Sequence, residues 1–203
     1  RLARALAEAT ASFDGPYILS DRRVPGSRIV FYRYGEHQAS GGVDVEGERV
    51  PHMEGPSGQA AIDERTGYYQ IPQWATDPYG ARPVRVLDAR SAKVTLNERY
   101  EVQGTLKYSN VGGMYLGRDL VHDRQVVIRE RRPHYGWIGP ATDCVSLLHR
   151  EAEILRRMDG TGCTPGYVDF FQVWEHHYLV MEEVKAGSLR DFVAAQYFRS
   201  RKV

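Results

Sequence analysis

The chain has 203 residues, of which 42% are hydrophobic and 26% are charged, a composition that is typical of a globular protein and excludes the disordered class. Its 27 Lys and Arg residues nearly balance its 26 Asp and Glu residues, so the whole molecule has no field that would draw it to nucleic acid or to an anionic bilayer. Any site for an anion must therefore be local.

The cysteines and the N-terminal segment narrow the class of protein further. Cys144 and Cys163 lie in unlike contexts without CxxC spacing, so we expect two free thiols in a reducing cytosol and no metal site. No apolar run approaches the ~20 residues needed to span a bilayer, and the start RLARALAEATASFDG is an amphipathic helix with acidic residues rather than a signal sequence. We therefore expect a cytoplasmic protein. Because the chain begins in mid-helix without Met, we also expect it to be a piece of a longer one.

The first part of the chain predicts one helix, short strands and irregular segments. Apolar spacing predicts a helix over residues 2–13, which DGP ends. The runs PYILS and SRIVFYRYG, separated by the turn residues of DRRVPG, predict a hairpin. Residues 41–58 indicate a loop or a weak hairpin, and the aromatic stretch DERTGYYQIPQWATDPYGARP indicates an irregular segment over a core. A linker fits residues 84–97.

Past the linker the pattern changes to an antiparallel meander with a second helix. The strand-like runs lie near residues 99–108, 114–119 and 125–130. The next helix runs from about Ser146 to Met158, and its apolar stripe has one acid, Glu151, set into it. GYVDFFQVWEHHYLVMEEV predicts two more strands, and AGSLRDFVAAQYF opens a further helix. The order βββαββ and then helix, added to the first part, predicts an α+β fold.

This order of elements resembles the N-terminal lobe of a protein kinase. In that family a glycine-rich loop between the first two strands covers the ATP phosphates. The corresponding stretch LKYSNVGGMYLGRD has Gly112 in the place of one family glycine, while Lys107 and Ser109 stand in the places of the first two. The resemblance therefore implies that these three residues bind ATP. Taken alone, Gly112-Gly113 is more often a plain hairpin turn.

The kinase resemblance depends on a charged pair at the end of the third strand. VVIR places Arg129 where the family has the lysine that holds the α- and β-phosphates, and LHREAEIL places Glu151 at the position of its partner. An acid within an apolar stripe needs a counter-ion, so we expect the two side chains to meet. The alternative is a surface arginine and a solvated glutamate. Since arginine is not shaped like lysine, two readings stay open: Lys107 supplies the missing ammonium, or the lobe binds nucleotide weakly.

The last strand resembles the kinase hinge, which implies further ATP-binding residues. In HHYLVMEEVKAGSLRDF, Met181 corresponds to the gatekeeper at the back of the adenine pocket. Glu182 and Val184 would present backbone groups to the adenine, and Ser188 falls where the ribose hydroxyls would lie. The alternative for this stretch is a core strand followed by a capped helix.

Stretches from the whole chain together resemble the class III lanthipeptide synthetases and, less closely, class IV. They are GPYILSDRRVPGSRIVFYRYGEH, DERTGYYQIPQWATDPYG, VVIRERRPHYGW and GYVDFFQVWEHHYLVMEEV. The resemblance implies that residues 1–93 are the C-terminal part of a phosphoserine/phosphothreonine lyase domain and its linker, a partial α+β domain of the phosphothreonine-lyase type. Residues 94–203 would be the kinase N-lobe, a five-stranded antiparallel sheet with helix αC, followed by the hinge and the start of the second lobe.

The family resemblance also implies the reactions and the partners. The kinase phosphorylates Ser and Thr of a leader-bearing precursor peptide with ATP and Mg²⁺, and the lyase eliminates the phosphate to leave dehydroalanine or dehydrobutyrine before lanthionine or labionin rings form. The lyase lysine and histidine and the kinase HRD and DFG motifs are not found in these 203 residues. We therefore expect the remaining lyase, second-lobe and cyclase segments, and the metal ligands, elsewhere in the same enzyme.

Elimination needs cations that hold the departing phosphate, and arginine forks bind phosphate oxygens bidentately. SDRRVPGSRIVFYRYG offers several arginines close to two tyrosines, so we expect Arg22 with Tyr32 or Tyr34, and next Arg23, to bind this phosphate. If residues 29–34 form a strand, Tyr32 and Tyr34 share one face and Arg33 lies on the other. The alternative is a solvated basic hairpin.

Two other functions stay open for the chain as a whole. One is a nucleotide-incompetent kinase-like lobe that serves as a docking scaffold for the leader peptide. The other is a regulatory Ser/Thr protein kinase with an unrelated N-terminal domain.

Overall fold

The computed structural model describes residues 1–35, 40–43, 45–63, 66–80, 94–187 and 189–199. This part of the chain is mostly β-structure with three helices. It groups into two compact units: unit 1 comprises Arg1–Lys93, Ser109–Gly112 and Arg131–Leu147, and unit 2 comprises Val94–Tyr108, Gly113–Glu130 and Leu148–Val203. The domain boundary expected after residue 93 adjoins residues 81–93, which lie outside the described ranges, so it stays a prediction.

The first part of the chain contains a short helix, a two-stranded ribbon and a three-stranded sheet. They are α1 (Leu2–Ala9), β1 (Arg22–Arg23) with β2 (Phe31–Tyr32), and β3 (Ser40–Val43), β4 (Arg49–Glu54) and β5 (Ala60–Ile62). The helix predicted over residues 2–13 is too long, because Thr10 donates its hydroxyl to the Leu6 carbonyl at 2.7 Å and leaves helical geometry. The β3–β4 pair confirms the weak hairpin, and residues 66–80 are irregular as expected.

The strand predicted at PYILS is wrong, since residues 16–20 form no strand. The ladder lies instead between Arg22–Arg23 and Phe31–Tyr32, where Ser27 closes the intervening turn by accepting the Val30 N–H at 2.9 Å. Tyr17 packs edge-on against Phe31, with 5.5 Å between the ring centroids. Tyr17 is therefore held by side-chain packing rather than by backbone pairing, whereas Ile18 is exposed.

The second part of the chain is built on a six-stranded antiparallel sheet in the order β10-β11-β9-β8-β7-β6. The elements are β6 (Val94–Leu96), β7 (Tyr100–Ser109), β8 (Gly112–Asp119), β9 (Arg124–Arg131), α2 (Cys144–Arg157), β10 (Tyr167–Val173), β11 (His176–Glu182) and α3 (Leu189–Arg199). The five predicted strands and both predicted helices are present, with ends displaced by one or two residues.

The sixth strand, β6, corrects the prediction of a five-stranded sheet. It pairs with the start of β7, with Leu96 opposite Tyr100, inside the stretch that was expected to be a linker. Asn97 and Glu98 have φ values of 48° and 53°, the left-handed conformation that a tight hairpin turn requires. Asn is among the residues that adopt it most readily, so Asn97 indicates a turn. The prediction of a linker over residues 84–97 overlooked this indication.

Apolar clusters cover both faces of this sheet. On one face Tyr100, Val126, Ile128, Tyr178 and Val180 form a buried core. On the other, Leu148, Ala152 and Leu155 of α2 pack against Leu179 and Met181 of β11, with Val127 beside them. Because side chains alternate along β9, Arg129 lies on the same face as Val127, the face that α2 covers.

The state of the cysteines and the character of the helices bear on two further expectations. Both cysteines are free, as predicted, with Cys144 buried and Cys163 exposed. None of the helices in the described ranges combines the length and the hydrophobicity that a membrane span needs.

Candidate functional sites

The predicted contact between Arg129 and Glu151 is confirmed. The Arg129 Nη1 atom lies 2.6 Å from Glu151 Oε1 and 2.7 Å from Oε2. Strand β9 supplies the arginine, and α2 supplies the glutamate one turn after Leu148 and one turn before Leu155, which anchor that face of the helix in the core. Packing of the helix therefore sets the distance between the two charges, while their catalytic role stays a prediction.

The Arg129–Glu151 pair leaves part of the guanidinium unused. The two side chains are 24% and 33% exposed, so solvent screens the pair and its own contribution to stability is small, about 0–1 kcal/mol. The carboxylate contacts one nitrogen of the fork, and the Arg129 Nε atom is buried with no hydrogen-bond partner in the described part of the chain. The pair thus leaves the Nε donor of Arg129 unsatisfied within the described residues.

The β7–β8 turn contains the residues that correspond to the glycine-rich loop. Lys107 and Ser109 lie on the exposed distal end of β7, and the Ser109 hydroxyl donates to the Gly112 carbonyl at 3.1 Å. Gly112 has a φ of 153°, which favours glycine. A Cβ atom at Gly113 would overlap the Tyr115 hydroxyl, so a larger residue there would displace the Tyr115 ring.

The residues that correspond to the kinase hinge lie where β11 ends. Met181 is buried against α2, and its role at the back of a pocket stays a prediction. The Glu182 N–H donates to the Gly166 carbonyl at 2.9 Å, so it is not available to a ligand. Val184 is exposed, and its N–H makes no hydrogen bond within the described residues. Ser188 lies outside the described residues.

In unit 1, Arg22 and Tyr32 are cross-strand partners and share one face of the β1–β2 ribbon. The Tyr32 hydroxyl donates to Asp77 at 3.0 and 2.9 Å, and the Arg22 Nη1 atom lies 3.9 Å from the same carboxylate. Asp77 is buried and also accepts the Tyr79 N–H at 2.8 Å. Sequence reasoning missed Asp77, although the order Asp-Pro-Tyr in ATDPYG is typical of an Asx turn.

The Asp77 carboxylate changes the chemistry of its tyrosine neighbours. Burial, and then the hydrogen bond to Asp77, raise the pKa of Tyr69 to about 12 and raise the pKa of Tyr32 above its usual range. Both hydroxyls therefore stay protonated at neutral pH. A carboxylate beside Arg22 also offsets part of its charge and repels an incoming phosphate, which weakens the case for this group as an anion site.

The other two phosphate-binding candidates lie apart from the Asp77 cluster. Arg23 is on the opposite face of the ribbon, with its guanidinium carbon 5.0 Å from the centre of the Tyr17 ring. Strand β2 stops at Tyr32, so residues 29–34 do not form the strand on which the alternation depended. Arg33 and Tyr34 both line one small cavity of about 90 Å³. Asp63 lies in that cavity and forms an ion pair with Arg33.

A larger cavity of about 710 Å³ lies elsewhere in unit 1, and none of the predicted site residues is among those that line it. Its polar lining comes from Arg4 and Glu8 of α1 and from Tyr79.

Comparison with known proteins finds a match for the first part of the chain and another for nearly all of it. Residues 1–92 match the family described as "RamC, N-terminal domain". Over 197 residues, 97% of its length, the chain is 40% identical to the probable SapB synthase of Streptomyces coelicolor, strain A3(2), and it is a homologue of that protein. The chain spans 21% of the length of this relative.

Proposed function

We propose that this chain is part of a class III lanthipeptide synthetase. Residues 1–93 would complete its phosphoserine/phosphothreonine lyase, and residues 94–203 would form the N-terminal lobe and hinge of its kinase. The similarity to a probable SapB synthase over almost the whole chain supports the class of enzyme. The same similarity, together with the match of residues 1–92 to a RamC domain, disfavours a regulatory kinase with an unrelated N-terminal domain.

The observation that carries the kinase proposal is the Arg129–Glu151 pair. A strand-end cation bound by an acid from the packed helix is the arrangement that aligns the phosphates of ATP in protein kinases. Here the two carboxylate oxygens lie 2.6 and 2.7 Å from one guanidinium nitrogen. The remaining nitrogens of Arg129 would then face the α- and β-phosphates, and Lys107 would add a second, mobile positive charge.

The hinge supports the same proposal through a backbone donor. The Val184 N–H has no hydrogen-bond partner among the described residues and suits the edge of adenine, and the Glu182 carbonyl would be the acceptor beside it. Met181 would close the back of that pocket, and Ser109, Gly112 and Ser188 would lie near the phosphates and ribose. Bound Mg²⁺ would neutralise phosphate charge, and its ligands would come from outside these residues.

For the lyase, we propose a supporting rather than a central role for the ribbon residues. Tyr32 and Tyr69 keep their protons and are bound to Asp77, so neither acts as a base. Arg22 and Arg23 would contribute positive potential from the two faces of the ribbon, and Tyr34 would contact the phosphopeptide beside Arg33.

The test is ATP-dependent modification of the precursor peptide by the complete gene product, followed by mass spectrometry. Unaltered enzyme should add phosphate and then lose it as phosphoric acid. Arg129→Ala and Glu151→Gln should abolish the gain in mass, whereas Arg157→Ala, at an exposed position of the same helix, should not. Full activity of Arg129→Ala would refute the assignment of the pair.

The departures from the kinase pattern at positions 107, 109 and 129 favour a second candidate, a lobe that no longer binds nucleotide and serves as a docking scaffold for the leader peptide. The two functions differ in a binding measurement. Retained leader binding with no ATP binding at millimolar nucleotide would support the scaffold and exclude the kinase.

A further inference from the structure

A buried arginine outside the predicted site binds the β7–β8 turn. Arg132 directly follows β9 and is 2% exposed. Its Nη1 atom donates to the Ser109 carbonyl at 2.8 Å and to the Asn110 carbonyl at 3.1 Å, and its backbone N–H donates to the Val111 carbonyl at 3.0 Å. All of these residues belong to unit 1. One residue thus binds three consecutive carbonyls of the turn.

The segment that carries Arg132 is itself held in place. The Cys144 thiol lies 2.9 Å from the Arg132 carbonyl, and the Cys144 N–H donates to the Tyr135 carbonyl at 2.9 Å. Gly136 has a φ of 62°, and a Cβ atom there would lie only 3.3 Å from Cys144 Cβ. The Tyr135 hydroxyl donates to the Tyr17 carbonyl at 2.9 Å. The arginine therefore projects from a packed loop rather than from a free one.

Binding of the carbonyls fixes the direction of the amides. In a trans peptide the N–H points opposite to the carbonyl of the preceding residue, and the described residues contain no cis peptide bond. The N–H groups of Asn110, Val111 and Gly112 consequently point to the side of the turn away from Arg132. Within the described part of the chain, the Asn110 and Val111 amides have no hydrogen-bond partner. Outward amides of this kind attract anions.

We propose that Arg132 is a positioning residue for the phosphates of the nucleotide. Glycine gives a phosphate-covering loop its backbone freedom, but Lys107 and Ser109 stand at two of the glycine positions here. Arg132 replaces that freedom with a fixed conformation in which the turn presents its amides. The inference rests on the proposed kinase function and adds to it a residue that acts through the turn.

The first measurement is hydrogen exchange in the complete gene product without nucleotide. Arg132→Met removes both guanidinium bonds to the turn, so the Arg132 and Cys144 amides should exchange at least ~10-fold faster, the factor that corresponds to one charge-assisted hydrogen bond. Arg157→Met removes an exposed arginine from the end of α2 and should leave this exchange unchanged. Equal exchange in the two variants would overturn the inference.

The second measurement is steady-state phosphorylation of the precursor peptide. A residue that positions the phosphates should act on nucleotide binding, so Arg132→Met should raise KM for ATP by roughly 10-fold and change kcat by less than about 3-fold. Arg132→Lys keeps the charge on a shorter side chain, which should lengthen the bonds to the two carbonyls, so its KM should lie between those of the unaltered and Met proteins. If the Met variant does not fold, the Lys variant decides: an unchanged KM contradicts the proposal.

The phosphorylation assay distinguishes a failure of this inference from a failure of the proposed function. Unaltered enzyme that never phosphorylates the peptide refutes the kinase, and the role of Arg132 falls with it. Active enzyme whose KM for ATP is insensitive to both substitutions refutes the role of Arg132 alone.

Discussion

Asp119 offers the sharpest test of the energetics of the six-stranded sheet. This carboxylate is 0% exposed and receives two bonds from Arg99, Nε to Oδ1 at 2.8 Å and Nη2 to Oδ2 at 2.7 Å. The Val121 N–H adds a third bond at 3.1 Å. Asp119→Asn keeps the shape but turns a donor toward the guanidinium, which leaves Arg99 a longer carboxylate contact, with Asp169 at 3.7 Å.

The expected cost of Asp119→Asn follows from these contacts. Arg99 is 25% exposed, so the charge left behind is partly solvated, and the loss of its hydrogen bonds to a charged group should lower the free energy of unfolding by about 1.5–3 kcal/mol. Asp123 provides the matched control, because it pairs with Arg118 on the same hairpin but both side chains are largely exposed. Asp123→Asn should cost less than about 1 kcal/mol. Urea denaturation followed by circular dichroism measures both.

The effect of Asp119→Asn should depend on pH. The hydrogen bonds from Arg99 hold the pKa of Asp119 well below its usual range, so this group stabilises the fold fully above the unfolded-state pKa of about 4. That stabilisation is lost as the pH falls towards the folded-state pKa, and the difference between the Asp and Asn proteins should narrow below pH ~4. A cost no larger than that of Asp123→Asn, or one that grows in acid, would contradict the reasoning.

Three further predictions concern other parts of the chain. Asp77→Asn should lower the pKa of Tyr69 from about 12 towards 10, visible as earlier tyrosinate absorbance in an alkaline titration; an unchanged titration would show that the carboxylate does not contribute to the raised pKa of Tyr69. Gly113→Ala should displace the Tyr115 ring and break the 2.6 Å bond from its hydroxyl to the buried Glu130 carboxylate. The free energy of unfolding in urea should then fall by about 1–3 kcal/mol, and an unaltered midpoint would contradict this placement of Tyr115. Leu148→Ala should cost about 2–5 kcal/mol in the same assay, because this side chain is fully packed between α2 and the sheet.

The sequence identified the elements of the second part well, because period and composition agree there. VVIRER alternates apolar and polar residues, and Glu151 could be paired with Arg129 before any coordinates because an acid in an apolar stripe needs a counter-ion. The first part was less predictable. PYILS has strand-forming residues, but in the structure Tyr17 packs against Phe31 and residues 16–20 pair with no strand.

Long-range partners account for what the sequence could not supply. Asp77 is 45 residues from Tyr32, and no motif in the sequence around either residue predicts their contact. In the sequence, Arg132 is one of several basic residues in RERRPH, and only its burial in the structure distinguishes it from its neighbour Arg131. Both side chains act through tertiary contacts, which neither propensity nor spacing encodes.

The contrast between the two thiols gives the chain a built-in labelling site. Burial raises the pKa of the Cys144 thiol, whereas Cys163 is exposed in the connection between α2 and β10. Alkylating dyes react with thiolates that they can reach, so a maleimide fluorophore added at neutral pH should attach to Cys163 first. A reporter at that point sits just past the C-terminal end of the helix that carries Glu151, where its emission can follow that helix without any engineered cysteine.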